Sequence, residues 1–374
     1  MKVVHMIDSE GMYGAEYVLY NLLPCLRDNG VDAMLACLSP TDSPGADLGR
    51  ALEKKQVPVL YLDEKKKIST EGLISIYRTF RSCRADILHV HGYKATILGG
   101  MAARVAGVPI ISTYHADACR YPELSTRVKI ETPFLKMAKM VIAVSDIIKD
   151  GLIRRGIAES RLTVIHNGIG DPTRRLMSAF GPDIEAEAPL RILCLGRLIP
   201  VKRFDLAVRA ISVLRREFPG AHLTIAGAGP LQSELRSLVE ALDLEASVSL
   251  PGYVSDTGEL FRKSDIFVLP SETEGSPITL IEAMAYAKPI VASMVGAIPE
   301  MVGGNAGSQL IAPGNLEQLI DALRRFMSDP TYRRESGRLS RRRFERSFTA
   351  ETMTARYVKQ YEACLRGVRE WTAR

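Results

Sequence analysis

The feature that most constrains this chain is an alternation, repeated twice, of short β-branched runs with helix-period segments. "KVVHMI", "VDAMLACLS", "VPVLYL", "DILHVH", "PIISTYH", "MVIAVS" and "LTVIHN" succeed one another, with helical segments between most of them. This β-α-β order predicts a parallel sheet covered by helices on both faces. It lapses through "GDPTRRLMSAFGPDIEAEAPL", where Pro172, Pro182, Pro189 and a cluster of acids break any regular element. It resumes with "LRILCLGRL", "HLTIAG", "SVSLPGY", "DIFVLPS", "PIVAS" and "SQLIAP". The expected class is therefore α/β: two doubly wound, Rossmann-like parallel-sheet domains in series facing a cleft. The expected bounds are residues 1–172 for the first domain, 173–189 for a linker and 190–345 for the second. The 374 residues exceed what one core usually serves. From Thr349, the residues Met353, Tyr357, Tyr361, Cys364, Val368 and Trp371 recur at steps of three or four, predicting a long amphipathic helix over 346–374 that needs an apolar surface.

Charge and cysteine content remove several function classes. The formal net charge of +6 suits a phosphate-bearing ligand or an anionic membrane surface and does not call for nucleic acid. Six scattered cysteines, with no C-x-x-C pair and no histidine cluster in sequence, argue against a zinc site or a disulfide framework and fit a reducing cytoplasm. The apolar run after Lys2 is too short for a signal segment and no other approaches a membrane span, so the chain is expected to be soluble or peripheral.

In open parallel sheets, ligands bind beyond the carboxyl ends of the strands. The loop after "DIFVLPS" leads into "EGSPITLIEAMA", in which Ser276 offers an N-cap oxygen and Pro277 suits the first helical position. The amides of Ile278, Thr279 and Leu280 would then open on an anion site at the positive end of the helix dipole. Glu274 and Glu282 flank that site. Alone, two such acids are usually solvated or paired with a lysine. Beside a phosphate, carboxylates accepting hydrogen bonds from sugar hydroxyls point instead to a nucleotide-sugar.

"EGSPITLIEAMAYAKPIVAS" resembles the nucleotide-sugar motif of the retaining glycosyltransferases of family four, glycosyl transferases of group 1 with the GT-B fold. The resemblance implies that Glu274 contacts the donor sugar and Glu282 the ribose hydroxyls. It also implies a C-terminal helix that crosses back to the first domain. In "LGRLIPVKRFD", Arg197 and Lys202 stand at the family's Arg and Lys positions, which neutralise the diphosphate; Arg203 stands where a Gly is common. "IAGAGPL" supplies Gly227 and Gly229, read either as letting backbone approach the nucleotide or as a tight turn. Gln232 replaces the third glycine of a dinucleotide fingerprint, which lowers a nicotinamide reading.

In the first domain, "SEGMYGAE" resembles the Gly-rich loop that approaches the donor phosphates, Gly14 keeping that role and Tyr13 replacing a second Gly. By the same resemblance His115, in "ISTYHAD", lies beside the donor sugar and the reacting centre. His91 is a candidate near the acceptor, and His89 is expected to pack inward. Ser145 and Asn167 read as architectural or peripheral, Gly170 replaces the usual Asp after "NGI", and Glu300 in "GAIPEMV" is placed near the donor base or ribose.

No D-x-D motif appears, so metal-independent transfer without a cofactor is expected, the cations and the helix N-terminus doing what Mg²⁺ does elsewhere. The resemblance implies retention by front-side attack, with no catalytic nucleophile. The expected partners are a nucleotide-sugar donor and a sugar, lipid-linked or small-molecule acceptor. "DEKKKIS" and "YRTFRSCR" are read as solvated basic faces or as a peripheral contact with an anionic membrane. The alternatives are a nucleotide-sugar 2-epimerase of the same architecture and a noncatalytic nucleotide-sugar-binding protein.

Overall fold

The computed structural model describes residues 1–62, 70–115, 125–174, 190–304 and 307–372. The lysine-rich stretch 63–69 and linker residues 175–189 lie outside the described residues. The chain forms two compact units: Met1–Gly170 with Thr349–Arg374, and Asp171–Phe348.

In the first unit the strands are β1 (Lys2–Ile7), β2 (Asp32–Cys37), β3 (Val59–Tyr61), β4 (Ile87–His91), β5 (Ile110–Tyr114), β6 (Met140–Ala143) and β7 (Leu162–Val164). Among the described residues they form one parallel sheet of order β3-β2-β1-β4-β5-β6-β7. In the second unit β8 (Arg191–Leu195), β9 (His222–Ala226), β10 (Val248–Gly252), β11 (Ile266–Leu269), β12 (Ile290–Ser293) and β13 (Ser308–Ile311) form a parallel sheet of order β10-β9-β8-β11-β12-β13.

Both sheets start in the middle, run outward, then reverse. The reversal falls between β1 and β4 in one unit and between β8 and β11 in the other, which is where open α/β sheets leave a crevice for a ligand. Strands such as Ile266–Leu269 are buried throughout because helices cover both faces, and this is why they read as unbroken apolar runs rather than alternating ones. Each unit has its own apolar core, around Val4, Leu88, Val90 and Val141 in the first and around Ile192, Ile225, Val268 and Val291 in the second.

The helix Ala350–Thr372 belongs to the first unit, where it packs against the helix Gly14–Asp28. Met353, Tyr357, Tyr361 and Cys364, spaced three or four apart, are all buried, as the periodicity requires. The Ala350 amide donates to the Ile169 carbonyl at 2.8 Å and Lys139 Nζ to the Cys364 carbonyl at 2.8 Å, so the helix is pinned by hydrogen bonds as well as by its apolar stripe. Of the side chains of Val368 and Trp371 nothing is described.

Candidate active site

The second unit assembles its site from the loops after β8, β9, β11 and β12. A short 3₁₀ turn, Pro200–Lys202, follows β8 and brings Lys202 Nζ to 2.6 Å from Glu274 Oε1, across 72 positions of sequence. Ser271 Oγ donates to the same carboxylate oxygen at 2.7 Å, and the Glu272 amide donates to the Val201 carbonyl at 2.8 Å, so the two loops are tied by backbone as well as by charge. Arg203 adopts the left-handed region at φ 49°, which explains why glycine suits that position; its guanidinium braces the turn through Asp205 (3.0 Å) and Glu272 (2.6 Å). Arg197 lies on the exposed side of the same loop.

Gly227 and Gly229 have a packing reason to be glycine. A Cβ on Gly227 would meet the Gly196 carbonyl oxygen at 1.8 Å, and one on Gly229 the Leu198 carbonyl oxygen at 2.4 Å. The β9 loop thus rests directly on the β8 loop, with the Leu198 amide donating to the Ala228 carbonyl at 2.9 Å. The space beside these glycines is filled by protein backbone, which favours the tight-packing reading of this motif over backbone approach to a nucleotide.

The helix after β11 runs Ile278–Ala285 with Pro277 at the N-cap position, one residue later than Ser276–Pro277 suggests. Pro277 is extended (ψ 118°) and so stands outside the first helical turn, and the Ser276 hydroxyl is directed to Met301 Sδ at 4.0 Å. The Leu280 amide is spent on the Pro277 carbonyl at 3.2 Å. Of the three amides expected to open on an anion site, that leaves those of Ile278 and Thr279.

Glu282 lies in the second turn of this helix and is buried. Thr257 Oγ1 donates to its Oε1 at 3.0 Å, yet desolvation outweighs that bond and raises its pKa to about 7. Glu300 lies in the first turn of the short helix Ile298–Val302, and Arg343 binds the carbonyls of Glu300 and Met301, each at 2.8 Å.

In the first unit, Gly14 opens the helix Gly14–Asp28, whose start is tied by the Glu16 carboxylate accepting from the Tyr13 amide at 3.1 Å. His115 follows β5 and is half-buried; desolvation lowers its pKa to about 4, so it is neutral at pH 7. His91 does not stand apart from His89 as expected. Residues two apart on a strand share a face, so both rings are fully buried and stacked at 4.3 Å. Both ring nitrogens of His91 are already engaged, with His5 at 3.1 Å and His115 at 3.0 Å, which leaves none for an acceptor. Ser145 and Asn167 are buried.

Sequence reasoning missed Ser271, Thr257, Gly296 and His5. Gly296 alone carried a signal, as a glycine just past the carboxyl end of β12.

Two Rossmann-like parallel-sheet units, one with a Lys202–Glu274 pair held between two loops beyond its strand ends, define a nucleotide-sugar-handling enzyme of the GT-B class. Residues 182–343 match the model of the glycosyl transferases group 1, and residues 12–171 that of glycosyltransferase family 4. The chain belongs to this family, and it is a nucleotide-sugar-dependent glycosyltransferase of the kind that builds glycans and polysaccharides. It is 31% identical over 304 residues to a glycogen synthase of Mycobacterium tuberculosis, covering 78% of this chain and 72% of that one. It is 28% identical over 352 residues, 88% of each chain, to the Escherichia coli UDP-Gal:alpha-D-GlcNAc-diphosphoundecaprenol alpha-1,3-galactosyltransferase. Anabaena HepE, solved in complex with UDP-glucose, shares the fold with a TM-score of 0.80 at 20% identity, over 97% of this chain and all of that one. Among the described residues, no helix is long and apolar enough to cross a membrane.

Proposed function

We propose that the second unit grips the donor as a nucleoside-diphosphate hexose. Arg197 and Lys202 neutralise the diphosphate together with the amides of Ile278 and Thr279, while Glu274 accepts hydrogen bonds from the sugar hydroxyls and Glu282 from the ribose. Gly227 and Gly229 shape this site by holding the β9 and β8 loops together, and Glu300 lies toward the base. Gly14 serves the donor phosphates and His115 the reacting centre. The observation that carries the reading is the Lys202–Glu274 pair, in which a cation for the phosphates and an acceptor for the sugar stand side by side on two different loops.

Transfer proceeds with retention. The acceptor hydroxyl attacks from the face the diphosphate leaves, and the departing phosphate oxygen takes the acceptor's proton. Fixed cations and helix amides stabilise the charge that grows on that oxygen, so the rate rests on positioning and leaving-group stabilisation, and neither metal nor cofactor is needed. A lipid-linked acceptor is supported by the diphosphoundecaprenol in the Escherichia coli relative's name. A peripheral contact with the inner face of the membrane is supported by Ile74, Arg78 and Arg81, exposed at helical spacing on Thr70–Cys83.

Glu274→Ala and Lys202→Ala test the reading. Each is expected to abolish sugar transfer while the protein still unfolds cooperatively. Wild-type turnover in either would contradict it.

A further inference from the structure

One face of the first unit's sheet carries a chain of polar side chains that the transfer chemistry above does not account for. Parallel pairing sets His5 beside His89 and His91 beside Thr113, and His115 follows β5 on the same side as Thr113. The helix Ala350–Thr372 lays Tyr357 and Tyr361, one turn apart, over these rings. The hydrogen bonds run without a break: Tyr357 Oη to Thr113 Oγ1 (3.2 Å), Thr113 Oγ1 to His89 Nε2 (2.7 Å), and His89 Nδ1 to Tyr361 Oη (2.7 Å). They continue from Tyr361 Oη to His5 Nε2 (3.3 Å), His5 Nδ1 to His91 Nε2 (3.1 Å), and His91 Nδ1 to His115 Nε2 (3.0 Å).

Burial keeps every one of these imidazoles neutral at pH 7, so each has one N–H donor and one bare acceptor. Because a hydroxyl can accept twice, four polarities fill all the bonds, and in three of them one buried hydroxyl hydrogen, on Tyr357, Thr113 or Tyr361, is left over. If donation ran from His115 toward Tyr357, the Tyr357 hydroxyl hydrogen would be buried with no acceptor among the described residues, which native interiors avoid. If it runs from Tyr357 toward His115, every hydrogen in the chain is used: Tyr357 donates to Thr113, Thr113 to His89, His89 Nδ1–H to Tyr361, Tyr361 to His5, His5 Nδ1–H to His91, and His91 Nδ1–H to His115 Nε2.

We propose that Tyr357 and Tyr361 of the C-terminal helix, acting through this wire, fix His115 as the Nδ1–H tautomer, so that it offers a donor to a hydroxyl oxygen of the donor sugar. Both tyrosines are positioning residues that touch no substrate. The part of the proposal that concerns the sugar rests on the role given to His115 above; the tautomer does not. The same rings offer a geometry in which His5, His89 and His91 could hold a metal ion, but every nitrogen of the three is already engaged in the wire.

The test is ¹⁵N imidazole spectroscopy of the full chain at pH 7 without donor, on wild type, Tyr361→Phe and Tyr357→Phe, paired with transfer kinetics. Wild type is expected to show His115 protonated at Nδ1 and bare at Nε2. Tyr361→Phe, which cuts the wire while keeping the ring, is expected to show a mixture of both tautomers, with kcat roughly tenfold lower and donor KM within about twofold. Tyr357→Phe removes the terminal donor and is expected to shift the same signal. An Nε2–H or charged His115 in the wild type, an unchanged tautomer in both variants, or stoichiometric zinc on the purified protein would overturn the wire. A shifted tautomer with unchanged kcat would overturn the positioning role. The donor assignment of the second unit would then still stand or fall on Glu274→Ala and Lys202→Ala.

Discussion

Gly296 presses its backbone so closely on Glu274 that a Cβ on it would lie 1.7 Å from the Glu274 carbonyl oxygen. Its φ of 54° would itself be strained for any residue with a side chain. The loop after β12 thus sets the height of the loop that carries Glu274. Gly296→Ala is expected to destabilise the second unit by about 3 kcal/mol through overpacking and left-handed strain. It should also lower kcat/KM for the donor at temperatures where the protein remains folded. Chemical denaturation and donor-dependent kinetics measure the two effects; an unchanged variant would show that the loops are not coupled.

Lys202 and Glu274 are 16% and 8% exposed as side chains and pair at 2.6 Å, so removing either strands the other in a place with little water. Lys202→Met and Glu274→Gln are each expected to cost about 1–3 kcal/mol. The double variant should cost less than the sum of the two, because neither charge is then left alone. Activity should not follow stability: the double variant is expected to remain inactive, because the proposed donor site uses both side chains. A double-mutant cycle by urea unfolding, run beside transfer assays, checks this separation.

Glu282 has its pKa raised to about 7 by burial, so it changes charge within the working pH range. Only the carboxylate can accept from both ribose hydroxyls. Donor KM is therefore expected to fall as pH rises from 6 to 8 in the wild type and to stay flat in Glu282→Gln. The sign for stability is the opposite one. A folded pKa above the unfolded value of 4.5 means that the ionised group opposes folding above pH 7, a penalty relieved as pH falls from 7 toward 4.5. Glu282→Gln should accordingly raise the second unit's stability at pH 8 by roughly 3 kcal/mol.

The histidine wire makes the first unit respond to acid in the other direction. His115 is lowered to about 4 and His5 to about 3, with His89 and His91 well below the ordinary 6.5. The unfolded chain therefore binds protons that the folded unit refuses, and stability is lost as pH falls below 6.5 toward the folded values, by about 2 kcal/mol per histidine at pH 5. Asp8, Glu16 and Glu131, all raised by burial, take up protons in the fold and offset part of the loss. Hydrogen exchange at pH 7 and 5, corrected for intrinsic rates, should show protection falling in β1, β4 and β5 and holding in β8, β11 and β12.

Much of this fold was legible because parallel strands buried on both faces write themselves as apolar runs, and because Pro277 and the acids around it mark a helix start beyond a strand end. What could not be read was whatever depends on strand order. His5 lies 84 residues from His89 in sequence, and only the insertion of β1 beside β4 makes them neighbours. Tyr361 stands 272 residues beyond its partner His89 and reads simply as one apolar position in an amphipathic stripe. The Gly296–Glu274 and Gly227–Gly196 approaches are likewise facts of loop packing, with nothing local to announce them beyond a glycine past a strand. For His91 the reason is simpler: alternation sends positions 89 and 91 to the same side of the sheet, so the two rings are buried together.

Titration calorimetry of the wild type, Lys202→Ala and Glu282→Ala with a panel of nucleoside diphosphates, the matching nucleotide-sugars and the free sugars, in the presence of EDTA, tests the central claim most directly. The wild type is expected to bind one nucleoside diphosphate and its sugar conjugate but not the free sugar, and each variant to bind at least tenfold more weakly, a loss of about 1.4 kcal/mol or more. Tight binding that neither substitution alters, or no binding of any sugar nucleotide across the panel, would contradict the claim that the loops of the second unit hold the donor.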